Sequence, residues 1–208
     1  MKTLLNYCVC ALIALGAAAC GDDAEPGEDM PEFSAESIIE LRREKDKMFR
    51  NPDESPLAPA ERAAFRSLSY FPPSEEYFLP ASFEPADAPD TVTLRTNSAA
   101  DVRKMLRYGT FSFAIGDSTY SLYAYKSLER GANALFVPFN DPTNGAKTYD
   151  VGRYLDVEEE PNANEYILDF NLAYNPYCAY SDRYTCPRVP PENRLPVPIP
   201  AGEKLYRK

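Results

Sequence analysis

The residues of this chain that could do chemistry are concentrated in its last third, at the predicted ends of strands and in the loops that follow them. Carboxylates, a guanidinium, amides and hydroxyls occur there together, and this mixture of donors and acceptors suits recognition of a small polar or charged group. Small β domains place their ligand sites in such loops. We therefore predict a ligand-binding site among Asp141, Thr143, Tyr149, Arg153, Asp169, Asn171, Asn175 and Glu203.

Arg153 and the segment that contains Asp141 and Thr143 also have a structural interpretation. Arg153 suits an anion-binding fork, because a guanidinium matches carboxylate geometry, but it equally suits an ion pair with Asp141 or Asp150. The segment Asn140–Lys147 does not fit a calcium loop, because Pro142 occupies a position that needs an oxygen ligand. A turn held by local side-chain hydrogen bonds is the simpler interpretation of this segment.

The segment that follows the last predicted strand allows the same two interpretations. Asp169 and Asn171 are expected either to contact a ligand or to hold the next loop through backbone hydrogen bonds. The tyrosines of Tyr174–Tyr184 either pack that loop or form an aromatic wall of a pocket.

The absence of histidine limits the possible reactions. The chain has none, which excludes Ser-His-Asp and Cys-His catalysis and histidine-ligated zinc. A hydrolase would have to use two carboxylates, with Glu203 paired with Asp141 or Asp169 and with Tyr149 or Arg153 as the stabilising group. Such an enzyme requires one carboxylate with a strongly raised pKa.

Cys178 and Cys186 are the two cysteines expected in the folded domain. They lie eight positions apart in a chain that carries an export signal, so a disulfide is the first interpretation. A bridge over so short a loop stabilises the fold by about 2.5 kcal/mol in the chain-entropy model. A metal site with two thiolates, or a reactive thiol, is the alternative.

The N-terminus predicts export and lipid anchoring. Residues 1–19 combine Lys2, an apolar run and small residues that lead to Cys20, which is the pattern of a lipoprotein signal peptide with Cys20 as the lipidated residue. Plain secretion is the alternative. Residues 20–33 are acidic and contain Gly and Pro, which indicates a tether. We expect a domain anchored to a bacterial envelope membrane, facing the periplasm, with the outer membrane favoured over the inner.

Composition restricts the partners of the domain. The net charge is -10, and a surface of this sign repels phosphate backbones. We therefore expect no nucleic acid. The expected partners are the membrane, through the anchor at Cys20, and a small molecule or another envelope protein. The sequence predicts no cofactor and no metal.

Residues 34–208 are predicted to form one domain that is mainly β, with a helical arm at its N-terminus. Ser34 caps a helix over 35–50 in which Ile38, Leu41, Lys45, Met48 and Phe49 share one face, and Pro59 begins a second short helical segment with Ala63, Ala64 and Phe65 packed. The segment 102–108 fits either a helix or a strand. The predicted strands are Tyr77–Phe83, Thr91–Thr96, Phe111–Ile115, Thr119–Tyr125, Ala134–Phe139, Arg153–Val157, Tyr166–Phe170 and Leu195–Ile199.

These short strands and their turns predict an antiparallel meander. Gly116-Asp117 and Asn144-Gly145 supply the turn signals between strands. Pro80 marks its strand as an edge or broken strand. A closed or partly open barrel is the first choice of architecture and a sandwich the second, because both dispose of exposed strand edges.

Two long motifs, LFVPFNDPTNGAKTYDVGRYLD and DFNLAYNPYCAYSDRYTCPRVPPENRLPVPIPAGEK, together with LRREKDKMFRNPDESPL and the Tyr-Phe-Pro-Pro at 70–73, resemble the bacterial and archaeal family called domain of unknown function 1684. The resemblance covers residues 34–206. It implies no activity, because the family has none assigned. It marks all eight predicted site residues as motif positions and includes both cysteines. Members that look cytoplasmic keep both cysteines, which slightly weakens the purely structural disulfide and strengthens the thiol or metal alternative.

The function predicted from these features is a non-catalytic module that binds a small ligand or a partner. The pocket is expected to lie between Asp141, Arg153, Asp169, Asn171 and the Tyr174–Tyr184 loop. A hydrolase with paired carboxylates is the second hypothesis. A structural envelope protein is the third, and it predicts no pocket of useful size.

Overall fold

The computed structural model of the protein describes residues 30–128 and 134–206. The predicted signal peptide (1–19), the lipidation site Cys20 and most of the tether (20–33) lie outside the described residues. The helices are α1 (Ala35–Arg50) and α2 (Pro59–Ala64), and the strands are β1 (Phe78–Arg95), β2 (Val102–Ile115), β3 (Ser118–Ser127), β4 (Ala134–Phe139), β5 (Arg153–Glu158) and β6 (Glu165–Asp169). Short 3₁₀ turns span Glu75–Tyr77, Phe170–Leu172, Tyr177–Ala179 and Pro191–Asn193.

The six strands form one antiparallel sheet in the order β5-β4-β3-β2-β1-β6, curved into a nearly closed barrel. This confirms the predicted class, mainly β with an N-terminal helical arm, and the first choice of architecture over the sandwich. The strands that follow one another from β1 to β5 are neighbours, as in a meander. The sixth strand instead returns to pair with β1.

The prediction of two separate strands before residue 97 is wrong, because both belong to the long strand β1. The pairing of β1 with β2 continues across a register shift between Pro85 and Asp90. Such a bulge lets a proline-containing strand bend without ending its ladder. Pro80 does not mark an edge strand either: it pairs with Ile167 of β6, and the pairing with β2 begins only at Ala81.

The turn signals located the next strands well. Gly116 has a positive φ of 58° between the paired residues Ile115 and Ser118, which confirms the predicted hairpin of β2 and β3. The ambiguous segment 102–108 is strand, as part of β2. The boundaries of β4 agree with the prediction, and those of β5 and β6 agree within one residue at each end.

The seam of the barrel lies between β5 and β6, the two ends of the strand order. The chain that follows β6 closes part of this seam: the Tyr154 and Tyr174 N–H groups donate to each other's carbonyl oxygens at 2.9 and 3.0 Å. The predicted strand Leu195–Ile199 is absent, and the segment is irregular. Its prolines lack N–H groups, so side chains rather than a strand ladder hold it in place.

The barrel interior is an aromatic core. Phe83, Phe111, Phe113, Phe139 and Phe170 are buried in it and contact one another or neighbouring rings in tilted and edge-to-face pairs. Such pairs add to the stability that burial of the rings provides. The inward-facing residues alternate along the strands with exposed ones, which is the pattern that led to the strand predictions.

The helical arm packs outside the barrel on a second, smaller core. Ser34 caps α1, as predicted, by accepting a hydrogen bond from the Ser37 N–H at 3.2 Å. Phe49 at the end of α1 is buried and meets Tyr180 edge to face, with 4.8 Å between ring centroids. The predicted packing of Leu41, Ala63 and Ala64 is wrong, since all three are exposed. Phe65 is buried, as predicted, and Arg42 of α1 points inward and donates to the Phe71 carbonyl oxygen.

Within the two described ranges, the structure contains no helix with both the length and the apolar character needed to cross a membrane.

Two glycines with left-handed backbones give a matched test of the packing at the C-terminus. A Cβ on Gly202 (φ 73°) would lie 2.6 Å from the Ala173 carbonyl oxygen, whereas one on Gly116 (φ 58°) would meet nothing within 4 Å. We expect Gly116→Ala to cost about 1–2 kcal/mol of unfolding free energy, from backbone strain alone. Gly202→Ala should cost about 1–3 kcal/mol more, from the steric clash. Equal losses in chemical denaturation would contradict this packing.

Candidate functional site

Asp141 and Arg153 form an ion pair at the centre of the predicted site. The Arg153 Nη2 group donates to Asp141 Oδ2 at 2.8 Å, and both side chains are 0% exposed. Arg153 also donates to the carbonyl oxygens of Ile199 and Ala201, while Asp141 Oδ1 accepts from the Ile199 N–H at 3.1 Å. Burial lowers the pKa of Arg153 and the carboxylate of Asp141 opposes that shift. The pair therefore fastens the irregular C-terminal segment to the barrel.

The turn next to this pair is held by local hydrogen bonds, as the simpler interpretation of Asn140–Lys147 predicts. The Thr143 N–H donates to Asp141 Oδ1 at 2.8 Å, and the Thr143 and Thr148 hydroxyls are 2.8 Å apart. Gly145 has a positive φ of 79°, consistent with the predicted turn at Asn144-Gly145.

Glu203 and Asn175 form a second buried cluster, which reaches helix α1. Asn175 Nδ2 donates to Glu203 Oε1 at 2.9 Å, and the Tyr180 hydroxyl donates to the same carboxylate. Lys45 Nζ of α1 reaches Glu203 Oε2 at 2.9 Å. The 1% exposure of Glu203 means that these partners replace its water shell. The cluster joins the end of the chain, the Tyr-rich loop and the helical arm.

Asp169 and Asn171 hold the entry to that loop, in agreement with their structural interpretation. Asp169 Oδ1 accepts from the Asn171 N–H at 2.9 Å, and burial raises the pKa of Asp169. The Asn171 amide makes two hydrogen bonds of 2.8 Å with the backbone of Ser74. Arg42 donates to the Asn171 carbonyl oxygen at 2.9 Å. This third cluster ties the segment before β1 to the end of β6.

A wide surface depression in the described part of the chain lies elsewhere. This cleft has a volume of about 1080 Å³. It runs between α1, the first residues of β2, the end of β3, strands β4 and β5, and the loop after β6. Most of its wall is apolar or aromatic. The residues of this wall include Met48, Val102, Met105, Phe136, Tyr154, Tyr174 and Pro176.

None of the eight residues predicted to bind a ligand lines the cleft. Seven belong to the three polar clusters or to the turn beside them, and most are buried. Tyr149 is the exception: its hydroxyl donates to Cys178 Sγ at 3.8 Å, and burial raises its pKa. The expected aromatic wall is present in part, because Tyr174, Tyr177 and Tyr184 line the cleft while Tyr180 packs in the second core.

The polar groups of the cleft differ in how far they are already paired. The Tyr174 hydroxyl donates to Asp156 Oδ2 at 2.6 Å, and burial raises the pKa of that carboxyl. Lys45 is committed to Glu203. Lys104 is exposed, and within residues 30–128 and 134–206 its ammonium has no ion-pair partner. Among the described residues, the charged groups of the wall without an ion-pair partner are therefore the Lys104 ammonium and the Asp156 carboxylate, and the carboxylate is already bonded to a hydroxyl.

Cys178 and Cys186 are thiols in this structure, held against each other. The Cys178 N–H donates to Cys186 Sγ at 3.2 Å. Cys186 is buried and lines the cleft, whereas Cys178 is partly exposed, lies on a 3₁₀ turn and does not line it. The disulfide stays a prediction. No group of three or more acidic, cysteine or histidine side chains in the described ranges is arranged to hold a metal ion.

Sequence reasoning missed Lys45, Lys104 and Asp156 as members of the candidate site. Lys45 was placed on the packed face of α1, which is correct, but its partner Glu203 lies 158 positions away and no local pattern connects them. Lys104 and Asp156 follow the ordinary alternation of strands, which gives no reason to single them out.

The fold defines the class of the protein: a nearly closed six-stranded barrel with a buried polar C-terminal segment. Comparison with known proteins then gives the family. The model of the family described as "Protein of unknown function (DUF1684)" matches residues 63–204. The solution NMR structure of an uncharacterized protein of Haloarcula marismortui is similar, at 37% identity and a TM-score of 0.65, covering 81% of this chain and 92% of that one. The comparison with curated proteins finds no match. The chain belongs to the DUF1684 family, which confirms the resemblance in its sequence motifs.

Removal of one partner of the Asp141–Arg153 pair should unfold the domain more readily. Arg153→Met leaves a buried carboxylate without a cation, so we expect a loss of about 3–5 kcal/mol in unfolding free energy. The matched control is Arg107→Met, which breaks the exposed Arg107–Asp90 pair and should cost less than about 1 kcal/mol. Denaturant unfolding of both variants measures the difference. Native stability in Arg153→Met would contradict the structural role of the pair.

Proposed function

We propose that the domain is a non-catalytic binding module whose ligand is a small, mainly apolar molecule with one anionic group, held in the cleft. The observation that carries this proposal is a depression of about 1080 Å³ with a mainly apolar wall, at the upper end of the size of small-molecule sites. An apolar surface of this extent, left open to water, costs free energy that a bound apolar ligand recovers.

The unpaired charge supports an anionic group on the ligand. Glu44 is paired with Lys47, Arg103 with Asp101 and Lys45 with Glu203. The ammonium of Lys104 is the cation on the described wall without an ion-pair partner, and it lies on the same strand as the apolar Met105. A carboxylate at Lys104 with an apolar body along Met105 and Phe136 uses both features.

The two other functions predicted from the sequence are less well supported. A paired-carboxylate hydrolase needs two acids facing a shared space, whereas Asp141 and Glu203 are both buried and each has its own cation. A structural protein without a ligand predicts no useful pocket, which the cleft argues against. We further propose that the module acts in the bacterial envelope, facing the periplasm on a lipid anchor at Cys20, as its N-terminal sequence predicts.

A charge reversal tests the anionic group. We expect dodecanoate to bind the full chain in calorimetry and Lys104→Glu to weaken that binding about tenfold or more, because an ion pair becomes a repulsion. The uncharged dodecanol should lose little affinity in the same variant. Lys147→Glu reverses an exposed lysine outside the cleft and serves as the matched control. Equal losses for dodecanoate and dodecanol, or an equal effect of the control, would contradict the assignment of Lys104.

A bulky side chain tests the location. Met105→Trp fills part of the cleft and should reduce the affinity of both dodecanoate and dodecanol about tenfold or more, since the apolar volume is lost. The control is Ala114→Trp, which adds the same side chain at an exposed position of β2 outside the cleft. Both variants should keep the thermal midpoint of the native chain. Unchanged binding in Met105→Trp would show that the ligand lies elsewhere.

A further inference from the structure

The cysteine pair differs from an ordinary buried thiol pair in its position relative to the cleft. Cys186 lies on the cleft wall, whereas Cys178 does not line it. The Cys178 N–H donates to Cys186 Sγ at 3.2 Å, and the two thiols are also hydrogen-bonded to each other. Cys186 is buried and borders the space that a small molecule can enter, whereas Cys178 is more exposed but does not border that space.

The backbone holds Cys186 firmly and leaves Cys178 on a turn. The Cys186 N–H donates to Asn97 Oδ1 at 2.8 Å, and its carbonyl oxygen accepts from the Asn97 N–H at 3.2 Å. The next residue bridges to Thr96 at the end of β1. Cys178 lies on the 3₁₀ turn Tyr177–Ala179. A fixed Cys186 and a Cys178 on a short turn, with the Cys178 N–H donating to Cys186 Sγ, are suited to forming a bond with each other.

The surroundings favour different protonation states for the two thiols. The hydrogen bond from Cys178 lowers the pKa of Cys186 to about 7, with further help from the backbone N–H of Cys178 and the guanidinium of Arg103. The same hydrogen bond, together with burial, raises the pKa of Cys178. The phenols of Tyr149 and Tyr154 are the other titratable groups near the pair. Cys186 is therefore the thiol of the pair that ionises first.

We propose that Cys186 and Cys178 form a thiol–disulfide exchange site that reduces an anionic, low-molecular-weight disulfide admitted through the cleft. This inference shares the cleft with the proposed binding function but not its ligand. It goes beyond that function because it assigns a reaction. The positive charge of Lys104 on the cleft wall favours disulfides that carry carboxylates.

The step balances with the groups present. The Cys186 thiolate attacks one sulfur of the substrate disulfide, forming a mixed disulfide and releasing the first substrate thiolate. Cys178 then loses its proton to solvent and attacks Cys186 Sγ, which breaks the mixed disulfide and releases the second thiolate. The substrate gains two electrons and the cysteine pair loses them.

The hydrogen bond between the thiols explains the order of the two attacks. The raised pKa of Cys178 comes first from its hydrogen bond to Cys186. Formation of the mixed disulfide removes the negative charge from Cys186, so Cys178 becomes easier to deprotonate only after the first attack. The intramolecular disulfide expected from the sequence is the oxidised product, and the thiol pair is the reduced form of the same couple.

The experiment uses the reduced full chain and the aromatic disulfide dithiobis(nitrobenzoate), whose thionitrobenzoate product is coloured. The Cys178→Ser/Cys186→Ser double variant gives the background from Cys8, Cys10 and Cys20. Above that background, we expect two thionitrobenzoates per native chain and a Cys178–Cys186 disulfide in peptide mapping. Cys178→Ser should release one and keep the second as an adduct on Cys186. Cys186→Ser should react more than about tenfold more slowly.

Three results would overturn the proposal. They are release of only one thionitrobenzoate by the native chain, equal rates for the two single variants, and a Cys186 that reacts no faster than the background cysteines.

The rate of the first step should rise with pH through about 7, because the thiolate is the nucleophile. Met105→Trp should slow that step about tenfold, while Ala114→Trp should not.

The two proposals fail separately. Dodecanoate binding is measured by calorimetry on the reduced protein, and exchange by product colour and peptide mapping. Loss of exchange with intact dodecanoate binding rejects the thiol site alone. Exchange that Met105→Trp does not slow rejects access through the cleft.

Discussion

The fold depends on burying charged side chains at the end of the chain with their partners. The final segment contains prolines that cannot contribute N–H groups to a strand ladder, so it needs other contacts. Arg153 and Asp141 supply them through hydrogen bonds to the backbone of residues 199 and 201. The Glu203 carboxylate accepts hydrogen bonds from Asn175, Tyr180 and Lys45. Each buried charge would be costly alone, and together they fix one arrangement of the C-terminal segment.

The same network shapes the cleft, and Lys45 is a member of it that also lines the wall. The ion pair of Lys45 with Glu203 holds α1 beside the loop after β6, and both contribute to the cleft wall. The bridge between Tyr154 and Tyr174 closes the seam of the barrel and positions two aromatic rings on that wall. The sequence motifs of the family therefore contain the residues of the polar clusters and also most of the residues that line the cleft.

Much of the fold was predictable because its signals are local. The cap at Ser34, the turn at Gly116 and the alternation along β2 and β3 each depend on neighbouring residues, and the structure confirms them. The continuity of β1 across its prolines was missed because it depends on pairing with β2 and β6, strands that lie elsewhere in the chain.

The candidate site was harder to predict for a related reason. Polar residues at strand ends suit a ligand as well as a buried ion pair, and only tertiary packing decides between them. An ion pair of Arg153 with Asp141 or Asp150 is one of the interpretations that the sequence allows. The complete burial of the Arg153 and Asp141 side chains is not evident from it. The cleft is formed by α1, four strands and the Tyr-rich loop, so no continuous stretch of the sequence indicates it.

The most direct test of this account is a titration of the isotope-labelled full chain with dodecanoate, followed through backbone amide resonances. If the polar clusters are structural and the cleft binds the ligand, the amides of Met105, Phe136 and Tyr174 shift in a saturable manner. The amides of Thr143 and Gly202, beside the buried clusters, then stay in place. Saturable shifts centred on Thr143 and Gly202, with none at Met105 and Phe136, would contradict the account and return the site to the buried polar clusters.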